Sequence, residues 1–203
     1  PVSERTLLMD ILAARGVNAV DPTPALLARA ESASVYWRSD THWTPYGTII
    51  AFDALAEALG MPEQKIDVDT VYSGQTPVEQ SGDLLRIAGL GETWPEMAPK
   101  RIGPDPFDAS GLIGEDFPPG VETGGHMLRH RDARTGPKVL VLGDSFTVGL
   151  FARLLMRFAG EVLWLHHRTG RFDPRLVDEF DPDIVILAVV ERHLASFGAA
   201  ATK

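Results

Sequence analysis

The 203-residue sequence contains no cysteine, which excludes disulfide bonds, thiolate metal ligands and a cysteine nucleophile. It also lacks an apolar run near the length that spans a bilayer and any stretch patterned like a signal peptide. Basic residues are outnumbered, with 19 Lys and Arg against 28 Asp and Glu, which gives a formal net charge of −9. This charge argues against nucleic-acid binding, which needs basic patches to neutralise phosphates.

The sequence does contain an ordinary globular composition, with 44% hydrophobic and 23% charged residues. We expect one domain over residues 1–203, with an irregular insertion at about 62–137 where proline and glycine are scattered. Apolar periodicity predicts helices near residues 3–15, 45–59 and 148–158, and strands at 17–20, 139–142, 162–165 and 184–190. This alternation predicts a three-layer α/β/α domain with a mainly parallel sheet.

One strand of this sheet ends in a turn that suits a nucleophile. The apolar run after Pro137 reads as a strand buried on both faces, and it stops at Gly143-Asp144-Ser145. Ser145 then lies at the carboxyl edge of the sheet, where ligands collect in open α/β sheets. A plain turn with a capping Asp or Ser explains the same residues about equally well. Asp144 itself is expected to cap or brace the turn.

A second motif lies about a hundred residues upstream, at Asp40-Thr41-His42-Trp43. In an extended segment, residues two apart project to the same side, so Asp40 is placed to hydrogen-bond one nitrogen of His42. The other ring nitrogen would then face a serine. Ser145, His42 and Asp40 supply the nucleophile, base and carboxylate of a catalytic triad, which is recognised by geometry and not by order in the chain.

These motifs together resemble a known family. Asp40-Thr-His-Trp-Thr-Pro, Ser81-Gly-Asp-Leu-Leu-Arg and Gly143-Asp-Ser-Phe, with the final Asp181–Arg192 segment, are similar to the SGNH-hydrolase-like alginate O-acetyltransferases. The resemblance implies a flavodoxin-like SGNH fold with a permuted triad order. It also implies a periplasmic location with an upstream signal or anchor, a polysaccharide acceptor and an acetyl donor supplied by a membrane-bound acyltransferase. No cofactor is implied.

Three functions remain open at this point. The first is an O-acetyltransferase that forms an acetyl-Ser145 intermediate and acetylates an alginate-like exopolysaccharide. The second is a carbohydrate acetylesterase with the same triad and water as acceptor, and the third is a non-catalytic carbohydrate-binding module. All three triad residue types are present, which favours the two enzymes over the binding module.

Other polar and aromatic residues carry weaker expectations. Arg192 is a candidate oxyanion donor or a partner of Glu191, and Trp43 and Tyr46 are candidate sugar-stacking residues or ordinary core. His126 and His130 lack a third ligand, so no metal site is predicted. The remaining histidines, His166, His167 and His193, are expected in loops or at the surface.

Overall fold

The computed structural model describes residues 3–117, 125–167 and 174–194. Contacts divide the chain into two compact units, each of which is described by itself. Unit 1 comprises Pro1–Val17 and Phe107–Lys203, and unit 2 comprises Asn18–Pro106. Within the described ranges, every helix is too short or too polar to cross a bilayer.

Helices and strands are distributed throughout the described ranges. The helices are α1 (Glu4–Ala14), α2 (Thr23–Arg29), α3 (Pro45–Ala58), α4 (Val68–Val71), α5 (Asp83–Ala88), α6 (Leu150–Leu155) and α7 (Pro174–Phe180). The strands are β1 (Tyr72–Gln80), β2 (Trp94–Arg101), β3 (Leu112–Phe117), β4 (Gly125–His130), β5 (Lys138–Gly143), β6 (Glu161–His166) and β7 (Ile184–Leu187). Short 3₁₀ turns occur at Pro62–Gln64 and Glu191–His193.

Unit 1 is built on a five-stranded sheet with the order β3-β4-β6-β5-β7. β5 pairs in parallel with β6 on one side and β7 on the other, whereas β4 runs antiparallel to both β6 and β3. The sheet core includes Leu140, Leu142, Leu163, Leu165, Leu176 and Phe180. The predicted α/β class is confirmed, and the sheet is mixed, with its parallel half centred on β5.

Two strand predictions differ from the structure. Residues 17–20 form no strand, and Val17 is 49% exposed, because an apolar stretch this short carries too little periodicity to fix its state. The strand predicted at 184–190 ends at Leu187, and its almost wholly apolar run, which is typical of a buried strand, forms the edge strand β7, on which Val185 and Leu187 are 53% and 56% exposed. An edge strand has a neighbour on one side only, so an apolar sequence does not guarantee burial.

Unit 2 contains the long buried helix α3 and the antiparallel pair β1–β2. Pro45 occupies the first turn of α3, where its missing N–H is not needed, and Thr44 caps the helix by accepting a hydrogen bond from Gly47 N at 3.2 Å. Ile49 and Phe52 are fully buried. The helix therefore gives the preceding loop, which carries the Asp40 motif, a fixed end.

The stretch at 62–137 is more regular than expected. It contains β1, β2, α4 and α5 in unit 2, and β3 and β4 of the unit 1 sheet. Near the end of this stretch, Arg129 forms a salt bridge with Glu115 across the β3–β4 pair, at an N–O distance of 2.9 Å. The last two strands of this stretch belong to the five-stranded sheet, so the stretch is not an irregular insertion throughout.

Candidate active site

The turn after β5 carries the predicted nucleophile. β5 is central in the parallel half of the sheet, and Val139, Leu140 and Val141 are fully buried. Ser145 is exposed in the turn, whereas its neighbour Asp144 is only 4% exposed. The buried strand therefore fixes the backbone while Ser145 stays accessible at the carboxyl edge.

Asp144 holds this turn together from inside. Its Oδ1 accepts a hydrogen bond from Phe146 N at 3.0 Å, and its Oδ2 accepts one from Val190 N at 3.1 Å. The first bond closes the turn, and the second joins it to the segment that follows β7. The prediction that Asp144 braces the turn is confirmed.

The turn is also tightly packed around Gly143. Trp164 Nε1 donates to Thr147 Oγ1 at 3.0 Å, and Thr147 N donates to the carbonyl of Asp144 at 3.0 Å. A Cβ on Gly143 would overlap Thr147 Oγ1 and lie 2.8 Å from Trp164 Nε1. This close approach of side chains to the backbone requires glycine.

The helix predicted near residues 148–158 forms as α6, and it begins at Leu150, five residues after Ser145. Gly149 has φ +73° and ψ −107°, a conformation incompatible with an α-helix, and it separates the turn from α6. The Ser145 backbone N–H therefore belongs to the turn and not to a helix N-terminus. Only the geometry of this turn can orient the Ser145 N–H toward an oxyanion.

The predicted contact between Asp40 and His42, the candidate acid–base pair, forms in unit 2. His42 Nδ1 lies 2.5 Å from Asp40 Oδ1, and the same oxygen accepts a hydrogen bond from His42 N at 2.9 Å. The His42 and Asp40 side chains are 29% and 17% exposed. With Nδ1 carrying the proton toward the carboxylate, Nε2 is the nitrogen that can act as a base.

A second carboxylate, on Asp83, fixes this loop from the start of α5. Asp83 accepts hydrogen bonds from Thr41 N at 2.8 Å and Thr41 Oγ1 at 2.6 Å, and its own N donates to Asp40 Oδ2 at 3.3 Å. Leu84 N donates to the carbonyl of Ser39 at 3.1 Å. The Ser81-Gly-Asp-Leu segment therefore positions the loop that carries the acid–base pair.

Asp83 is held in its ionised form. Burial alone would raise the pKa of Asp83, but the hydrogen bonds from Thr41 and the nearby His42 outweigh burial and keep that pKa below its ordinary value. An ionised Asp83 keeps both oxygens available as acceptors for Thr41.

Glu96 in β2 supports the same loop one residue earlier. It is 7% exposed, and it accepts hydrogen bonds from Arg38 N at 2.8 Å, from Ser39 N at 3.4 Å and from Ser39 Oγ. A buried carboxylate that gathers three donors from one loop fixes the course of that loop. Sequence reasoning did not single out Glu96, and it noted Asp83 only as part of the Ser81-Gly-Asp-Leu motif, since only the fold brings both residues to residues 38–41.

Ser145 lies in unit 1, whereas Asp40 and His42 lie in unit 2. Each half of the predicted triad has the local geometry its role requires. The distance between Ser145 Oγ and His42 remains a prediction, for which we expect hydrogen-bond reach, about 2.6–3.2 Å or somewhat looser without substrate.

The candidate substrate-binding residues Tyr46, Trp43 and Arg192 differ in solvent exposure. Tyr46 is 3% exposed and packs edge-to-face on Tyr72 with ring centroids 6.2 Å apart, so its ring offers no open face for a sugar. Trp43 is partly exposed and pairs by a single β-bridge with Tyr36. Arg192 is exposed, and its guanidinium lies 5.5 Å from the centroid of the Phe146 ring.

The histidine expectations need one correction. His167 was expected in a loop or at the surface; it lies in the loop after β6 but is fully buried, and burial, partly opposed by Asp144, lowers its pKa. The preceding His166 is exposed, as expected. Successive side chains in a strand point to opposite faces, and the sequence His166-His167 does not say which one is inside.

Two groups of side chains have the composition of a metal site. In unit 2, donor atoms of Asp40, His42 and Asp83 lie within 4.8 Å of one another. In unit 1, the donors of Asp144, His167 and His193 meet the same limit. Hydrogen bonds among Asp40, His42 and Asp83 explain why the side chains of the first group lie together.

The comparisons with known proteins agree with this fold. The family model described as "SGNH hydrolase-like domain, acetyltransferase AlgX" matches residues 3–180. No curated protein sequence matches the chain.

Solved structures from three bacteria share the fold. A DHHW family protein from Eubacterium siraeum has a TM-score of 0.58 and 17% identity, with 90% of this chain and 66% of that one covered. The O-acetyltransferase domain of Pseudomonas putida AlgJ has a TM-score of 0.55 and 20% identity, with 94% and 65% covered. Bacillus cereus PatB1 has a TM-score of 0.53 and 12% identity, with 79% and 64% covered. The chain thus spans 66% or less of each of these structures.

Proposed function

We propose, on the premise that this chain belongs to the family of SGNH hydrolase-like acetyltransferase domains of the AlgX type, that it is a serine-dependent O-acetyltransferase. The observation that carries the proposal is the Asp40–His42 pair, whose Nδ1–Oδ1 contact of 2.5 Å leaves Nε2 as the base. The accessible Ser145 on a rigid turn supports the same assignment. Family membership favours acyl transfer over simple carbohydrate binding.

The proposed reaction has two halves. Ser145 Oγ attacks the acetyl carbonyl while His42 Nε2 takes the hydroxyl proton, and His42 then returns this proton to the departing donor group. The product is an acetyl ester on Ser145. In the second half, His42 takes the proton of a sugar hydroxyl as that oxygen attacks the acetyl-Ser145 carbonyl, and it returns the proton to Ser145 Oγ as the ester bond breaks. Asp40 holds the imidazole tautomer and stabilises the imidazolium in both halves.

The acceptor and donor follow from the family and not from the site. We propose an alginate-like exopolysaccharide as acceptor, a membrane-bound acyltransferase partner as the source of the acetyl group, and the periplasm as the location.

The first test is detection of the covalent intermediate. Incubation with an activated acetyl ester should add one acetyl group to the wild-type protein by intact mass, with the modified residue at Ser145. Ser145→Ala should abolish the adduct, and the matched exposed control Ser110→Ala should keep it. An adduct that survives in Ser145→Ala would refute the proposed nucleophile.

The second test asks whether the residues act as one unit. Ser145→Ala and His42→Ala should each abolish turnover of the ester, and the double variant should be hardly worse than either, because triad losses do not add. His126→Ala, an exposed histidine in β4, should turn over normally. Near wild-type turnover by a folded His42→Ala variant would remove His42 from the mechanism.

The third test separates transfer from hydrolysis. Addition of uronate oligosaccharides should increase acetylated sugar and reduce free acetate. Release of acetate alone, whichever glycan is offered, would favour the acetylesterase. Glycan binding without an acetyl adduct or turnover would favour the binding module.

A further inference from the structure

Three adjacent strands of the unit 1 sheet deliver metal-binding side chains to one place. Asp144 follows β5, His167 follows β6, and His193 lies in the 3₁₀ turn beyond β7. Because β5 lies between β6 and β7 and all three are parallel, their carboxyl ends meet at one edge of the sheet. Asp144 therefore stands in the middle, with a histidine from each neighbouring strand end.

The spacing of the donor atoms suits one ion. His167 Nε2 lies 3.6 Å from Asp144 Oδ2, which is longer than a hydrogen bond. Two ligands held tetrahedrally at about 2.0–2.2 Å from one ion are about 3.4 Å apart, close to this separation. All three donors lie within 4.8 Å of one another, so side-chain adjustments of at most about 1.5 Å bring every pair to the separation that one ion requires.

Burial and hydrogen bonding also point to a ligand. His193 Nδ1 is buried and makes no hydrogen bond with any residue in the described ranges. The Asp144 carboxylate is oriented by the backbone N–H groups of Phe146 and Val190, and His167 N donates to the carbonyl of Gly143 at 2.9 Å. Supporting contacts of this kind are what orient the ligands of protein metal sites.

We propose that Asp144, His167 and His193 bind one divalent transition-metal ion, with Zn²⁺ as the best fit to two imidazoles and one carboxylate. Zn²⁺ takes nitrogen and oxygen ligands in tetrahedral geometry, and three protein ligands leave one position for water. The ion ties together the ends of three strands behind the Ser145 turn. Its role is to stabilise that turn, and it is separate from the acyl-transfer chemistry of Ser145 and His42.

Zn²⁺ binding to the metal-free protein tests this proposal without substrate, so the result is independent of the acetyltransferase assignment. Competition with a chromophoric chelator should give one Zn²⁺ per wild-type chain, and Co²⁺ should give the visible absorption of a tetrahedral site. His193→Gln and His167→Gln should each weaken binding at least about tenfold. His193→Gln is the decisive variant if the fully buried His167 proves necessary for folding.

Two control variants locate the ion. His166→Gln changes an exposed histidine beside His167 and should retain full Zn²⁺ binding. His42→Gln removes a donor from the other candidate group and should also retain it. Zn²⁺ should raise the unfolding temperature of wild type and both controls, but not of His193→Gln. The proposal is wrong if wild type binds no Zn²⁺, if His193→Gln binds as tightly as wild type, or if only His42→Gln loses the ion.

Discussion

The support that Glu96 gives to the acid–base loop leads to a quantitative prediction. Glu96→Gln keeps the shape of the side chain but replaces one carboxylate oxygen with an amide NH₂. That NH₂ must then face donors of Arg38 or Ser39, all of which now point at carboxylate oxygens. A hydrogen bond to a charged group contributes about 1.5–3 kcal/mol, and the variant loses at least one such bond.

The expected loss in the free energy of unfolding is smaller than the summed contribution of the three hydrogen bonds to Glu96. Neutralising a buried carboxylate removes part of its desolvation cost, which offsets some of the loss. We therefore expect Glu96→Gln to lower the free energy of unfolding by about 1–3 kcal/mol. The matched control is Glu79→Gln, the same substitution at an exposed position in the paired strand β1, which should change it by less than about 0.5 kcal/mol.

Urea unfolding followed by tryptophan fluorescence suits this measurement. Three of the four tryptophans, Trp37, Trp43 and Trp94, lie in unit 2, so the signal reports mainly on the unit that contains Glu96. Turnover of an acetyl ester under folding conditions should also fall in Glu96→Gln and not in Glu79→Gln, because Asp40 directly follows Ser39. An unfolding free energy for Glu96→Gln that equals that of Glu79→Gln would refute the reasoning.

Two further predictions concern the nucleophile turn and acid stability. Gly143→Ala should lower the unfolding temperature, because its Cβ would overlap Thr147 Oγ1, at a cost of about 1–3 kcal/mol; Gly111→Ala, with open space at its Cβ, should be nearly neutral in the same thermal scan. The lowered pKa of Asp83 means that its hydrogen bonds with Thr41 stabilise the fold above the ordinary carboxyl pKa, and that this stabilisation is lost as the pH falls through the lowered value. The stability difference between wild type and Asp83→Asn should therefore shrink as the pH falls from neutral to about 3, and a constant difference would contradict this assignment.

The parts of the molecule that sequence predicted best are those specified by neighbouring residues. The apolar run of β5 followed by Gly143-Asp144-Ser145 specifies a buried strand and a turn, and both are present. Asp40 and His42 are two residues apart, so their contact needs only an extended local backbone. Thr44 and Pro45 likewise mark the start of α3 through local chemistry.

The parts that sequence did not predict depend on contacts between distant segments. Glu96 meets Ser39 only because β2 lies behind the loop, and no periodicity relates two residues so far apart. His167 is buried although the adjacent His166 is exposed, because successive extended residues point to opposite sides and the sequence does not say which side is inside. Nor does the apolar sequence of β7 reveal that it is an edge strand.

The two units are interleaved along the chain, and this layout has a consequence for synthesis. Unit 2, residues 18–106, is continuous in sequence, whereas unit 1 is split into a short N-terminal piece and everything after Pro106. On the ribosome, the histidine–aspartate pair can be folded before the strand that carries Ser145 has been translated. The proposed base, His42, would thus be in place before the proposed nucleophile, Ser145, has been synthesised.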